Sequence, residues 1–194
     1  MARIRICRLL RPGLPDASSF GQAWEAAAVG DQTGRTAKAR VVRGVEGERY
    51  DPTWVFKHGS LTGAPFDFMI GEVAYLGGPP LQVHAKAHDA FYILDGVLAF
   101  QLEDKIFDLA PGDFVSAPPG VPHTFDNIRE DQPPVKVCNV MTPGGLDAFF
   151  VALGELGRDA TERHDATFVG PTIGQRLGLA GESRWAREVS RLGA

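Results

Sequence analysis

The chain has 194 residues, of which 44% are hydrophobic and 23% are charged, proportions that exclude a disordered, collagen-like or coiled-coil protein. A chain of this length buries roughly 70% of its unfolded surface, so its core needs neither disulfides nor a structural metal. The 20 Lys and Arg residues against 24 Asp and Glu give a net charge of −4. Because the basic residues form no block, nucleic acid is not an expected partner.

The first eleven residues alternate arginines with apolar side chains. This interruption favours an edge strand or arm over a secretory signal peptide. No stretch approaches the ~18 apolar residues of a membrane span, and Cys7 and Cys138 form no CxxC pair. We therefore expect a soluble, cytoplasmic protein with reduced thiols and no membrane partner.

An Ala-rich segment predicts a short helix from Asp16 to Gly30. Asp16 or Ser19 is the candidate N-cap, Gln22 is the capping-box partner of Ser19, and Gly30 ends the helix. Residues 1–35 are thus expected to form an N-terminal arm and short helix.

Residues 36–142 consist of short β-branched and aromatic runs separated by Gly, Pro and Asp, a pattern that predicts an all-β sandwich or barrel of antiparallel strands. The predicted strands are 38–43, 53–58, 66–76, 80–84, 90–94, 97–103, 105–109, 113–117, 122–126 and 135–141. Asp95-Gly96 predicts a two-residue type I′ hairpin. Pro111-Gly112 and Pro119-Gly120 predict two further turns.

Residues 143–194 return to a helical pattern and are expected to pack on the barrel within one domain. The spacing of the apolar residues predicts a helix over 145–156 whose buried face comprises Leu146, Phe149, Phe150, Leu153 and Leu156. A weaker amphipathic stretch covers 182–192.

Four potential ligands lie on or directly beside predicted strands. Gln82 and His84 are two residues apart and share one face of a strand, Asp89 shares a face with Phe91, and His123 follows a Pro-Pro-Gly corner. If these strands are neighbours in one barrel, His84, Asp89 and His123 converge in its interior.

The second of two motif-bearing stretches, residues 112–127, resembles the second signature motif of the cupin superfamily. That motif reads Gly, five residues, Pro-x-Gly, two residues, His, three residues, Asn. The sequence matches it at every fixed position, with Gly112, Pro118, Gly120, His123 and Asn127.

The first stretch, residues 77–96, resembles the first cupin motif with substitutions. Counting back from Gly96, the Glu position holds Asp89, the second His is His84, and the first His is replaced by Gln82. The GGPP and FYILDG runs and the later GG-L-x-x-FF segment further resemble single-domain cupins grouped with the flavonol 2,4-dioxygenases, called quercetinases.

This resemblance implies a cupin double-stranded β-helix, or jelly-roll barrel, with one divalent transition metal at its centre. It implies His84, His123 and Asp89 as ligands, Gln82 as a carbonyl donor, and Asp89 as the catalytic base. Two His and one carboxylate form the facial triad of non-haem iron oxygenases, although Fe, Mn, Co, Ni, Cu and Zn all accept these donors. Because Asp89 is shorter than Glu, either its strand sits closer to the metal or its carboxylate acts as a base without binding metal.

Other interpretations of these residues stay open. His84 and His123 are alternatively hydrogen-bonded histidines of a metal-free cupin. By alternation His88 faces outward, unless a bulge exchanges the faces; His58 and His164 are expected to have no catalytic role. A further group is expected to be core first and pocket lining second: Phe91, Phe100, Phe107, Phe125 and Met141.

The function implied is a metal-dependent, quercetinase-like dioxygenase that acts with dioxygen on a small aromatic, flavonol or polyketide-like substrate, as a homodimer. One alternative is a metal-dependent polyketide cyclase or isomerase that uses no oxygen. The other is a non-enzymatic cupin that binds a small molecule, an interpretation motivated by the loss of the first His.

Overall fold

The structure is a computed structural model, and it describes residues 40–44, 46–49, 53–145 and 166–179. These residues belong to a compact unit that spans residues 39–194. The predicted helix over 16–30 and the amphipathic stretch over 182–192 lie outside the described residues, as does the predicted helix over 145–156 apart from its first residue. Within the described part, no helix has both the length and the apolar character that crossing a membrane requires.

Strands dominate the described residues. They are β1 (Trp54–Lys57), β2 (Asp67–Val73), β3 (Gln82–His84), β4 (His88–Asp95), β5 (Leu98–Leu102), β6 (Lys105–Leu109), β7 (Phe114–Ala117), β8 (His123–Asp126), β9 (Val135–Thr142) and β10 (Ala166–Phe168). Two four-residue helices, α1 (Gly59–Thr62) and α2 (Ile173–Arg176), complete the regular structure. The all-β prediction is confirmed.

The strands form two five-stranded sheets, ordered β1-β2-β9-β4-β7 and β10-β3-β8-β5-β6. The strand pairs within both sheets are antiparallel, as in a jelly roll. Strand alternation directs one face of each sheet inward, so the two inner faces build a shared interior.

The prediction of a two-residue hairpin at Asp95-Gly96 is wrong. The chain does turn there, with Gly96 at φ 82°, but β4 lies in one sheet and β5 in the other. Positive φ at both central positions is also absent, because Asp95 is not among the described residues with positive φ. Two-residue turn chemistry is local, whereas the choice of sheet is set by which hydrophobic faces pack together.

Two further predictions of secondary structure are wrong. The described part of the predicted strand 38–43 is irregular, Val41 is 75% exposed, and none of the described strands pairs with this segment. Conversely, β10 lies in a segment that the sequence assigns to helix. Its three residues gain strand geometry by pairing with β3, a tertiary contact that overrides local preference.

The main core fills the space between the sheets. It comprises Val73, Phe91, Ile93, Leu98, Phe100, Phe125, Val135 and Val137. Phe91 contacts Phe100 edge-on at a ring-centroid distance of 5.2 Å and Phe125 at 4.9 Å. Phe107 departs from its expected core position and is 44% exposed, because β6 is an edge strand with a neighbour on one side only.

A buried carboxylate on the outer face of β8 joins three parts of the chain. Asp126 accepts hydrogen bonds from the backbone N–H of Gly78 at 3.0 Å and of Gly174 at 3.3 Å. Gly78 precedes β3, and a Cβ there would lie 1.8 Å from the carbonyl oxygen of Phe125, so only glycine permits this approach. Burial raises the pKa of Asp126 to about 6, even though the backbone hydrogen bonds act in the opposite direction.

The raised pKa makes folding stability depend on pH. Between about pH 4 and pH 6 the unfolded chain releases the Asp126 proton while the folded chain retains it, so stability falls as pH rises through this window. Two pKa units correspond to about 3 kcal/mol. We expect wild type to lose up to this much free energy of unfolding relative to Asp126→Asn as pH rises from 4 to 7.

Chemical denaturation of both proteins in chelator across this range measures the difference. The chelator keeps metal binding out of the comparison, and the protonation of other groups cancels between the two proteins. A difference that stays constant with pH, or that grows in favour of wild type, contradicts the prediction.

Candidate metal centre

His123 is the first residue of β8 and marks the boundary between the main core and the site. Its ring lies parallel to Phe100, with an interplanar angle of 3° and a centroid distance of 6.3 Å. The Nδ1 atom lies 2.9 Å from the carbonyl oxygen of Val121. Because a carbonyl only accepts, Nδ1 carries the proton and donates. In the neutral imidazole, Nε2 therefore presents a lone pair to the interior.

Asp89 supplies the carboxylate from the opposite sheet. It is the second residue of β4 and is 2% exposed, and its Oδ2 lies 3.2 Å from Nε2 of His123. Its other oxygen, Oδ1, accepts a hydrogen bond from the side-chain amide of Asn139 on β9. The carboxylate thus points one oxygen at the imidazoles and the other at an amide.

His84 ends β3 and completes the group. Its Nε2 lies 3.8 Å from Oδ2 of Asp89, and the His84 and His123 ring centroids are 5.3 Å apart. β3 pairs with β10 at three positions but with β8 at one, Gln82 with His123. The backbone N–H of Gly120, in the corner before β8, also donates to the His84 carbonyl at 2.8 Å.

These placements agree with the convergence predicted from alternation: His84, Asp89 and His123 each offer a donor atom within 4.8 Å of the others, and all three are buried. Gln82 is half buried and lies directly across from His123 in the β3–β8 register. It also shares the face of β3 that carries His84. His88 is exposed, as alternation predicts, although β4 begins at this residue.

The two separations measured from Oδ2 of Asp89 suit one metal ion. Transition metals bind imidazole nitrogen and carboxylate oxygen at ~2.0–2.2 Å, so two donors on one ion lie at most about 4.3 Å apart. The 3.2 Å and 3.8 Å separations from Asp89 Oδ2 fall within this limit. A proton or a cation between Nε2 of His123 and Oδ2 of Asp89 accounts for their 3.2 Å separation, and two imidazoles with one carboxylate form a donor set that a divalent transition metal accepts.

Asn139 is the site residue that the motifs did not reveal. It is 4% exposed and faces Phe91 in the β4–β9 register. The alternation of residues along β9 could have identified Asn139 from the sequence. The other inward positions, 135, 137 and 141, carry Val, Val and Met, so Asn139 is the polar exception on that face. A buried polar group of this kind is expected to have a specific partner.

A buried apolar cluster lies beside the site on the first sheet. We call the second buried cluster the apolar wall; it comprises Phe56, Met69, Ala87 and Met141. Met141 is the direct β9 neighbour of Asp89, and Ala87 precedes Asp89 by two residues. Met141 therefore lies beside the site, whereas Phe91, Phe100 and Phe125 belong to the main core.

His58 lies apart from this group. It is buried, and its Nε2 is 3.2 Å from a carboxylate oxygen of Glu48. The three-residue cluster that can hold a metal does not include it among the described residues. His164 lies outside the described part of the chain.

Comparisons with known proteins address the family. Residues 71–141 match the family model described as a cupin domain. Over 89 residues the chain is 32% identical to the quercetin 2,3-dioxygenase of Bacillus subtilis (strain 168). This match covers 44% of the chain and 26% of the relative, so it spans about a quarter of that protein's length.

Solved structures of similar shape include KdgF from a Halomonas species, with 18% identity, a TM-score of 0.46, and coverage of 58% of this chain and 98% of that one. A cupin protein from Bacteroides fragilis has 16% identity, a TM-score of 0.45, and coverage of 57% and 88%. These TM-scores are below 0.5 and carry no further conclusion. The two-sheet β architecture, the family match and the partial likeness to a curated dioxygenase agree with one another, and residues 71–141 are similar to the cupin domain.

Proposed function

We propose that the protein is a metal-dependent dioxygenase that resembles the quercetinases and acts on a small aromatic, flavonol or polyketide-like molecule. The observation that carries the proposal is the buried meeting of two imidazoles and one carboxylate, His84, His123 and Asp89. The likeness to a quercetin dioxygenase over 89 residues supports the choice of reaction.

His84, His123 and Asp89 would hold one divalent transition metal, with the carbonyl oxygen of Gln82 as a further donor. A bound metal of this kind supplies Lewis acidity toward a substrate oxygen and, where it is redox-active, the electron chemistry that dioxygen requires. Its identity among Fe, Mn, Co, Ni, Cu and Zn is left to measurement.

The chain's own residues orient and deprotonate the substrate. Oδ2 of Asp89 is the oxygen that faces the two imidazoles, so it is the atom that accepts the proton of a substrate hydroxyl. The apolar wall beside it favours a flat, largely uncharged substrate and restricts water near the reacting groups. His123 is held in one orientation by Val121, so its lone pair stays directed at the site.

The first prediction concerns metal content. Wild type is expected to bind about one metal per chain, whereas His84→Ala and His123→Ala each weaken binding by about 100-fold or more, because the ~10–16 kcal/mol of a protein metal site is shared among three or four ligands. Titration against a chelating dye gives the affinities, and elemental analysis gives the content.

The matched control is His88→Ala, which removes an exposed imidazole from the strand that carries Asp89. It is expected to bind metal as wild type does. A wild-type protein that takes up no metal, both as isolated and after reconstitution, contradicts the proposal and leaves a metal-free binding protein. Small-molecule affinity that survives both His84→Ala and His123→Ala favours the same alternative.

The second prediction concerns oxygen. With quercetin as the probe, metal-loaded wild type is expected to consume dioxygen, and Asp89→Asn to be slower by about 10²–10⁴-fold, the usual contribution of a general base. An oxygen electrode and product mass spectrometry measure both. Asp89→Asn must first be shown to retain metal, so that the loss of the base is separated from the loss of the ligand.

The outcome under strict anaerobiosis separates the dioxygenase from its metal-dependent alternative. If a substrate gives the same product without oxygen, the dioxygenase assignment is wrong and a cyclase or isomerase takes its place. The homodimeric state and the cytoplasmic location stay predictions, which light scattering and cell fractionation test.

A further inference from the structure

The amide of Asn139 makes two contacts with β4. Its Nδ2 donates to Oδ1 of Asp89 and to the backbone carbonyl of Ala90, the latter at 3.1 Å. Both partners are acceptors, so the amide orientation is fixed by chemistry: Nδ2 uses both of its hydrogens and the amide oxygen points elsewhere. One side chain thereby ties the Asp89 carboxylate to the backbone of its own strand.

The β4–β9 strand register explains how the Asn139 side chain reaches the Asp89 carboxylate. Asn139 lies opposite Phe91, and Asp89 precedes Phe91 by two residues on the same face of β4. The amide therefore crosses diagonally between neighbouring strands, a span within the range of side chains on one face of a sheet. The direct β9 neighbour of Asp89 is Met141, which offers no hydrogen, so Asn139 is the donor that β9 supplies.

The contact decides how the carboxylate faces the imidazoles. An Asp carboxylate rotates freely about its last bond unless hydrogen bonds hold it, and either oxygen or both then face a cation. With Oδ1 engaged by Asn139, Oδ2 alone lies 3.2 Å from Nε2 of His123 and 3.8 Å from Nε2 of His84. Asp89 therefore presents one defined oxygen, Oδ2, to the two imidazoles.

We propose that Asn139 is a positioning residue that holds Asp89 as a one-oxygen metal ligand through Oδ2. This inference rests on the proposed metal site and deepens it. Hydrogen bonds of this kind to ligating carboxylates orient them, and their removal typically weakens metal binding by about 10–100-fold.

The test compares Asn139→Leu with wild type. Leu has a similar volume but no hydrogen to donate, so Zn²⁺ affinity is expected to fall by about 10–100-fold while the circular dichroism of the metal-free protein stays that of wild type. Thr124→Val is the matched control: it removes a buried polar group of β8, bonded to the Pro79 carbonyl at 2.6 Å, on the strand face opposite His123. Its Zn²⁺ affinity is expected to stay close to that of wild type.

A spectroscopic measurement separates positioning from a general loss of structure. The Co²⁺-substituted wild type and Asn139→Leu are expected to differ in their d–d absorption, because the freed carboxylate changes its coordination. In the Asp89→Ala background, Asn139→Leu is expected to change neither the Co²⁺ spectrum nor the affinity. If Asn139→Leu does not fold, Asn139→Ala, which opens space rather than filling it, carries the same expectations.

The outcomes are distinct. If wild type binds Zn²⁺ and a folded Asn139 variant binds it equally well with an unchanged Co²⁺ spectrum, the positioning role is wrong and the metal site stands. Equal weakening by Thr124→Val also overturns it, because the loss is then general. If wild type binds neither ion, the proposed function fails and this inference fails with it.

Discussion

The arrangement depends on a carboxylate that is buried beside two imidazoles. Asp89 is 2% exposed and His84 and His123 are buried with it, so the negative charge has lost most of its hydration. An isolated buried carboxylate is costly unless a cation or several hydrogen bonds compensate it. Asn139 supplies one hydrogen bond to one oxygen, and the other oxygen faces the imidazole nitrogens. A cation held among His84, Asp89 and His123 would supply the compensation that this carboxylate lacks.

The rest of the fold can be understood as the support of these three positions. Asp89 comes from one sheet, while His84 and His123 come from the other, so the site forms only when the two sheets pack around the main core. The strand that carries His84 has three residues and relies on β10 for most of its pairing. Asp126 ties the approach to β3, and the start of α2 beyond β10, to the strand of His123.

Local sequence patterns predicted most of the strands and the convergence of His84, Asp89 and His123, because alternation and turn chemistry act over a few residues. The strand predicted at 105–109 is present with the same bounds, and the second cupin motif identified His123. The predictions that failed concern features that depend on contacts between residues far apart in the sequence. The Asp95-Gly96 turn joins two sheets rather than two paired strands, β10 exists because the edge of β3 is available to it, and Phe107 is exposed because β6 lies at an edge. Asn139 was visible only as a polar break in an apolar alternation whose partner lies 50 residues away.

The two roles proposed for Asp89, metal ligand and base, would compete for one atom. Oδ1 is engaged by Asn139, so in the proposed function Oδ2 would serve both a substrate proton and a metal ion. A substrate hydroxyl that donates its proton to Oδ2 would lie on the side of the carboxylate that faces the imidazoles. The substitution of Asp for Glu in the first motif shortens the carboxylate, and the Asn139 amide then limits its freedom. The imidazoles and the apolar wall are the groups beside Oδ2, and in the proposed reaction they would favour a flat molecule that carries its acidic hydroxyl at one edge.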